Sequence, residues 1–268
     1  MRRDVPPLST TARSINAERL VLLGWSRAIV LQMTHPLIAA GVADHSHFRA
    51  SASAAAVRLH ETVRSMLSLT FGSAVAHAQA IAAIRAIHRR VQGALRQDVG
   101  PFPAGTRYSA EDPALLLWVH VTLLDSVVLA YEALVAPLTA AERDDYCREA
   151  GTVAVELGVD PADVPATWPA LQQYLSRTLA SGTLVAGPEA RASVDAVLFP
   201  PLSLVTGPFA WVNRLFTIGT LPASVRDQYR LAWTTRRAAQ LRRVVRWLQA
   251  ARRVTPRRIA WWPAARRV

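Results

Sequence analysis

Lysine is absent from this 268-residue chain, and cysteine occurs once, at Cys147. A single thiol excludes an intramolecular disulfide and any zinc site built on paired thiolates, and it suits a reducing compartment. The GxGxxG and phosphate-loop patterns, the HExxH of zinc proteases and the GxSxG nucleophile elbow are also missing, so none of those motif-bearing chemistries is expected. A di-iron carboxylate bundle needs Glu-x-x-His on two helices, and only Asp44 and His47 have even that spacing. Sustained alternation of period two and the Asn-Gly or Asp-Gly hairpin signal are absent, so no strand is expected. Nor is a secretory signal: Arg2 and Arg3 are followed by Pro6, Pro7 and "LSTTARS" where an apolar core would have to begin.

What is present is helical periodicity in a chain that is 51% hydrophobic, enough for a sizeable core. The expected fold is all-α, a single multi-helix domain with a long basic C-terminal helix. A polar tail over 1–16 precedes a helical domain over 17–253, and a basic Arg/Trp tail fills 254–268. Helices are predicted near 17–34, 53–70, 73–97, 110–136, 140–157, 168–181 and 189–198, with a last one from Pro222 to about Arg253. Ser109 with Asp112, and Thr139 with Glu142, have the spacing of capping boxes, and His35-Pro36 marks a turn. Two apolar stretches are long enough to span a bilayer, but one contains Arg27 and His35 and the other His120, Asp125 and Glu132. Each ionisable group at mid-bilayer costs about 2.5 to 3.5 kcal/mol, so both are predicted to be buried helices.

The net charge of +12 is unevenly placed: residues 226–268 hold 13 arginines against Asp227 alone, while the preceding 225 residues are balanced. Arginine pairs interleaved with Trp247, Trp261 and Trp262 suit an anionic membrane surface or nucleic acid. Membrane is favoured and nucleic acid is not expected; a solvated basic helix with a disordered tail is the ordinary alternative.

Two histidines, His88 and His120, stand inside strongly apolar helical patterns. In "IRAIHRRVQG" His88 joins a stripe formed by Ile81, Ile84, Val91 and Leu95, with Arg85, Arg89, Gln92 and Arg96 mostly opposite. A lone histidine on such a stripe is most often a core residue bonded to a carbonyl. The chemical alternative is a site that uses one imidazole and leaves the reaction to a bound group, which suits haem. Arg58 and Thr62 lie one helical turn apart, with Met66 a turn further on, so a guanidinium and a hydroxyl could serve one pocket. A salt bridge and ordinary packing would explain the same spacing.

Five segments together, "LQMTHPLIAAGVADHSHFR", "RLHETVRSM", "IRAIHRRVQG", "YSAEDPALLLWVHVTLLDS" and "LFTIGTLPASVRDQYRLAW", resemble the bacterial DUF2236 proteins. That family is similar to the ER-bound oxygenase MpaB of mycophenolic acid biosynthesis and to rubber oxygenase, the latex clearing protein. The resemblance implies a globin-like core binding haem b (iron) with His88 as proximal ligand. It implies Arg58 and Thr62 as distal groups, Thr122 and Leu123 as the distal Thr-Leu pair, and Asp44 near the position of a glutamate proposed as catalytic base. Glu61 replaces a family lysine, reversing the charge there. His120 is expected to build the distal side or act as acid or base, and His35 to bond the backbone at the Pro36 turn.

The function so implied is a haem-dependent, dioxygenase-like oxygenase. Its partners would be dioxygen and a hydrophobic alkene or isoprenoid-like small molecule, held in a pocket lined by Leu115, Leu116, Trp118 and Leu123 and cleaved at a double bond. The alternative is a haem-binding sensor or storage module without turnover. The expected location is cytoplasmic, peripheral on the inner face of the membrane.

Overall fold

A computed structural model of the chain describes residues 10–46, 52–199 and 207–266, with the backbone alone for 52–56 and 58. The all-α expectation holds: among the described residues, thirteen helices and one short two-stranded ribbon make up the regular structure, apart from isolated 3-10 turns.

The centre is α6 (Pro113–Leu134), the one described helix long and apolar enough to cross a membrane. It is wrapped on several sides by α1 (Thr11–Ala17), α2 (Leu22–Met33), α7 (Ala140–Leu157), α8 (Trp168–Ala180) and α12 (Thr235–Val254). Val121, Val127, Val128 and Leu134 are at most 1% exposed. α2 lies so close that a Cβ on Gly24 would sit 2.2 Å from the Ser126 carbonyl oxygen, so only glycine fits there. Two of the charges that argued against a bilayer, Arg27 and Asp125, satisfy each other. The Arg27 guanidinium donates to Asp125 at 2.6 Å, Ser126 Oγ at 2.7 Å and the Thr220 carbonyl at 3.0 Å, and Gln172 donates to the other Asp125 oxygen at 2.7 Å. A buried ion pair is tolerated when its remaining bonding capacity is filled in this way.

Several boundaries move. Thr11–Ala17, within the stretch expected to be a polar tail, is a helix capped by Thr10 that buries Ala12 and Ile15. The capping box at Thr139 and Glu142 is present in full, but at α6 the cap is Asp112, which accepts from the Ala114 N–H, and Ser109 instead accepts from Glu111 N–H. The helix expected over 73–97 ends early: α5 covers Ala74–His88, and β1 (Gln92–Ala94) then pairs antiparallel with β2 (Arg107–Ser109). The ribbon contradicts the absence of strand signal. Its reason is local packing, since the Tyr108 ring lies across Gly93, where a Cβ would meet Tyr108 Oη at 2.5 Å.

The last helix is split into α11 (Ala223–Gln228) and α12, and the tail carries a further turn, α13 (Arg257–Ala260). The tail, for which disorder was the ordinary alternative, is folded through Arg266 onto the N-terminal end. Glu18 accepts from Trp261 Nε1 at 2.8 Å and from two Arg252 nitrogens at 2.8 and 2.5 Å, and Trp261 is 6% exposed.

Candidate functional site

The candidate residues fall on four helices: α3 (Pro36–His45), α4 (Ala52–Phe71), α5 and α6. α4 and α5 form a hairpin. Gly72 permits its tight turn, because a Cβ there would lie 2.4 Å from the Ser68 carbonyl oxygen, and Ser73 caps α5 by accepting from the Ala76 N–H. The second half of α4 packs inward: Val63, Met66, Leu67 and Thr70 share a small cavity wall with Trp25 and Trp262. In the half that carries Arg58 and Thr62, the described side chains of Val57 and Leu59 are 58% and 51% exposed. Thr62 is exposed and the Arg58 side chain lies outside the described residues.

α5 runs back beside α4 and ends on His88, which is half-buried in its last turn. Despite its apolar row, no residue of α5 is buried, and Ile87 is 53% exposed. α5 leans on α7 through His77, whose Nε2 meets Glu156 at 2.6 Å and whose Nδ1 meets the Leu69 carbonyl at 2.9 Å. The Glu156 carboxylate, then that carbonyl, raise the His77 pKa. Along this seam runs an open groove of about 420 Å³ lined by Ala78, Ile81, Ala82, Arg85, Arg89 and Glu156.

The chain just past His88 is clamped to α3. His45 Nε2 bonds the Gln92 carbonyl oxygen at 3.1 Å, and Val91 lies against Gly41. Asp44, one position before His45, has both carboxylate oxygens engaged, Oδ1 by Arg96 at 2.5 Å and Oδ2 by the Tyr108 hydroxyl at 2.6 Å. It faces a cavity of about 220 Å³ lined also by Ala40, Leu95, Arg96, Val99 and Glu189. The ends of the helices bearing His88 and Asp44 are thus held side by side. The sequence reading missed the Tyr108 and Arg96 clamp, which spacing could not reveal because those groups lie 64 and 52 residues from Asp44.

On α6 the candidates differ sharply. Thr122 is fully buried, and its single hydroxyl proton is shared between the Trp118 and Val119 carbonyls at 2.8 and 3.0 Å, a helix back-bond that leaves it only as an acceptor. Leu123 is half-buried against the main core. The four residues expected to line one pocket divide: Leu115 packs with Leu37, Leu95 and Tyr108, whereas Leu116, Trp118 and Leu123 belong to the main core. His120 is the exception on this helix. Its Nε2 is sealed from solvent with no hydrogen-bond partner, and burial pushes its pKa down to about 4, so the ring is neutral at physiological pH. His35 behaves as expected at its turn, Nδ1 accepting from the Leu37 N–H at 3.3 Å, and burial lowers its pKa to about 4 as well.

Among the described residues, no three His, Cys, Asp or Glu side chains converge as metal ligands. The hairpin does offer one imidazole on a helix whose apolar row is only half-buried, and the neutral His120 has an unbonded ring nitrogen. These features fit a broad apolar group held through a single nitrogen.

Residues 12–250 match the family model described as "ER-bound oxygenase mpaB/B'/Rubber oxygenase, catalytic domain". No curated protein and no solved structure shows significant similarity to the chain. The match covers the central helix, the α4–α5 hairpin and the ribbon in one span. The chain belongs to the mpaB and rubber oxygenase catalytic-domain family, a family of oxygenases.

Proposed function

We propose that this member is a haem b-dependent oxygenase acting on a hydrophobic alkene or isoprenoid-like small molecule, with cleavage of a double bond. The observation that carries the reading is the α4–α5 hairpin: a helix of apolar composition that ends on a histidine, buries none of its residues, and stands beside the helix bearing Arg58 and Thr62. A planar apolar group would cover those faces and gain from their removal from water. Bound haem b would supply the redox centre at which dioxygen is activated.

The chain's own residues would do the rest. His88 holds the group through one ring nitrogen. Arg58 and Thr62 bind oxygen atoms that carry partial negative charge, as carbonyl products do. The apolar walls exclude water and retain the alkene. Asp44 offers a carboxylate oriented by Tyr108 and Arg96. Cleavage of a carbon–carbon double bond to two carbonyls uses both atoms of dioxygen, so the overall reaction balances without an added reductant.

The test is the absorption spectrum of the full-length protein expressed with ample haem, before and after dithionite. A Soret band is expected, and His88→Ala is expected to abolish it with the far-UV circular dichroism unchanged. A colourless holoprotein preparation overturns the reading. A band retained by His88→Ala but lost in His120→Ala moves the ligand to α6.

A second reading, oxygen binding without turnover, is favoured by one observation: both Asp44 oxygens are already tied into the fold, Oδ1 by Arg96 and Oδ2 by Tyr108, as in a structural carboxylate. Product analysis with dioxygen and a panel of apolar alkenes separates the two. Reversible oxygen binding with no oxidised product would select the sensor or storage role.

A further inference from the structure

The thirteen C-terminal arginines are sorted by the fold, and the sorting identifies a surface. α12 turns Leu241, Val245 and Leu248 inward, into a cluster with Phe216 and Leu134, and anchors itself by Gln249 to the Ala133 carbonyl and by Arg252 to Glu18. On the opposite face two rows run along the helix at spacings of four and seven residues: Arg242, Arg246 and Arg253 in one, and Arg243, Trp247 and Val254 in the other. All six are exposed, Trp247 at 68% and Val254 at 82%. Among the described residues none of the four arginines in these rows has an ion-pair or hydrogen-bond partner on its side chain, in contrast to Arg252. Beyond the helix, Arg258 and Ile259, 57% exposed, continue the same mixture of positive and apolar side chains. The alongside helix α10 (Gly207–Thr220) also exposes Phe209 at 60% and Trp211 at 39%.

We infer that the outer face of α12 with α13 docks this protein on an anionic lipid bilayer. The charges match headgroup phosphates, and the tryptophan and aliphatic side chains set among them have an apolar phase to enter just below those headgroups. A nucleic acid would satisfy the arginines and could stack on Trp247, but it offers Val254 and Ile259 no apolar phase. The tail's own fold supports a rigid docking surface: Trp261 is locked to Glu18, so α13 is held at the end of α12. This inference is independent of the haem reading, because it concerns outward-facing side chains of α12 and α13 that the haem reading does not use.

The experiment is vesicle co-sedimentation of the full-length protein with mixed phosphatidylglycerol and phosphatidylcholine, with phosphatidylcholine alone, and with duplex DNA as competitor. Binding is expected only with phosphatidylglycerol present. Arg242→Glu/Arg243→Glu/Arg246→Glu should weaken it by about a hundredfold or more, given roughly fivefold per basic residue at an anionic surface. Trp247→Ser should weaken it several-fold and remove quenching of tryptophan emission by brominated lipid. These positions face outward, so far-UV circular dichroism and thermal midpoint should match the parent chain. Absence of binding to the anionic vesicles, equal binding to phosphatidylcholine alone, or an undiminished affinity of the arginine variant overturns the inference. Tight DNA binding, with vesicle binding indifferent to Trp247→Ser, assigns the face to nucleic acid and overturns it as well.

Discussion

α5 and α6 are both apolar helices, yet thirteen residues of α6 are buried and α5 buries none. The difference is in their neighbours. α6 meets helices all along its length, its charges are paired inside, and α2 approaches to backbone contact at Gly24. α5 has α4 and the end of α7, and its polar tie to the latter is the half-exposed His77–Glu156 pair. Composition alone therefore does not decide burial. The apolar row of α5 through Ile81, Ile84 and His88 is only half-buried, and the haem proposed above would complete its packing.

The comparison can be broken by energetics. The largest effect is expected for Asp125→Ala, which strands the Arg27 guanidinium, 4% exposed, against α6. Removing one partner of a buried pair costs about 3 to 5 kcal/mol, read as a shift in the urea midpoint. Next, Leu134→Ala in α6, where the side chain is 0% exposed, should cost about 2 to 5 kcal/mol, whereas Leu59→Ala in α4 should cost less than about 0.5 kcal/mol without ligand. A large cost at Leu59 would mean that the first half of α4 is packed after all.

The third expectation concerns acid. The folded-state pKa of His120 lies at about 4, below its unfolded value of 6.5. The unfolded chain therefore takes up the proton first. The stability from keeping this ring neutral is full above pH 6.5 and is lost as pH falls toward 4, by about 2 kcal/mol at pH 5. His35 acts in the same direction. His120→Leu should flatten the fall between pH 7 and pH 5 in urea titrations and raise the midpoint at both, since it removes an unpartnered buried nitrogen.

The smallest effect belongs to the hairpin. Glu156→Gln should cost less than about 1 kcal/mol, because the pair it breaks is partly solvated. Its sign with pH is opposite to that of His120. The raised His77 pKa means its contribution is present below pH 6.5 and fades as pH rises through the folded value. A loss comparable to that of Asp125→Ala would show that α5 is held far more firmly than its exposure indicates.

Much of this architecture was legible in the residues. The helical class, the full box at Thr139 and Glu142 and the His35 turn all follow from interactions within a few positions, and the ionisable groups set in the two apolar stretches pointed to their burial. The candidate site was legible in part. The motifs named His88, Arg58 and Thr62, but the stripe through Val91 and Leu95 implied a helix continuing past His88, and tertiary contact ended it there. Tyr108 closing over Gly93, and Asp44 gripped by Tyr108 and Arg96, depend on segments that meet only after folding.

Periodicity, capping side chains and the placement of charge by themselves made this chain helical, gave it an apolar interior and assigned its excess arginine to the C-terminal end. The tertiary structure alone decided that α6 would be enclosed while α5 stayed open, that Arg252 would turn inward to Glu18 while Arg242 and Arg246 faced water, and that Trp261 would leave the tail for the core. The reason is distance along the chain. Caps and helical faces act over three or four residues, whereas Arg27 and Asp125 are 98 residues apart and Glu18 and Trp261 are 243, and such pairs form only when packing brings their helices together.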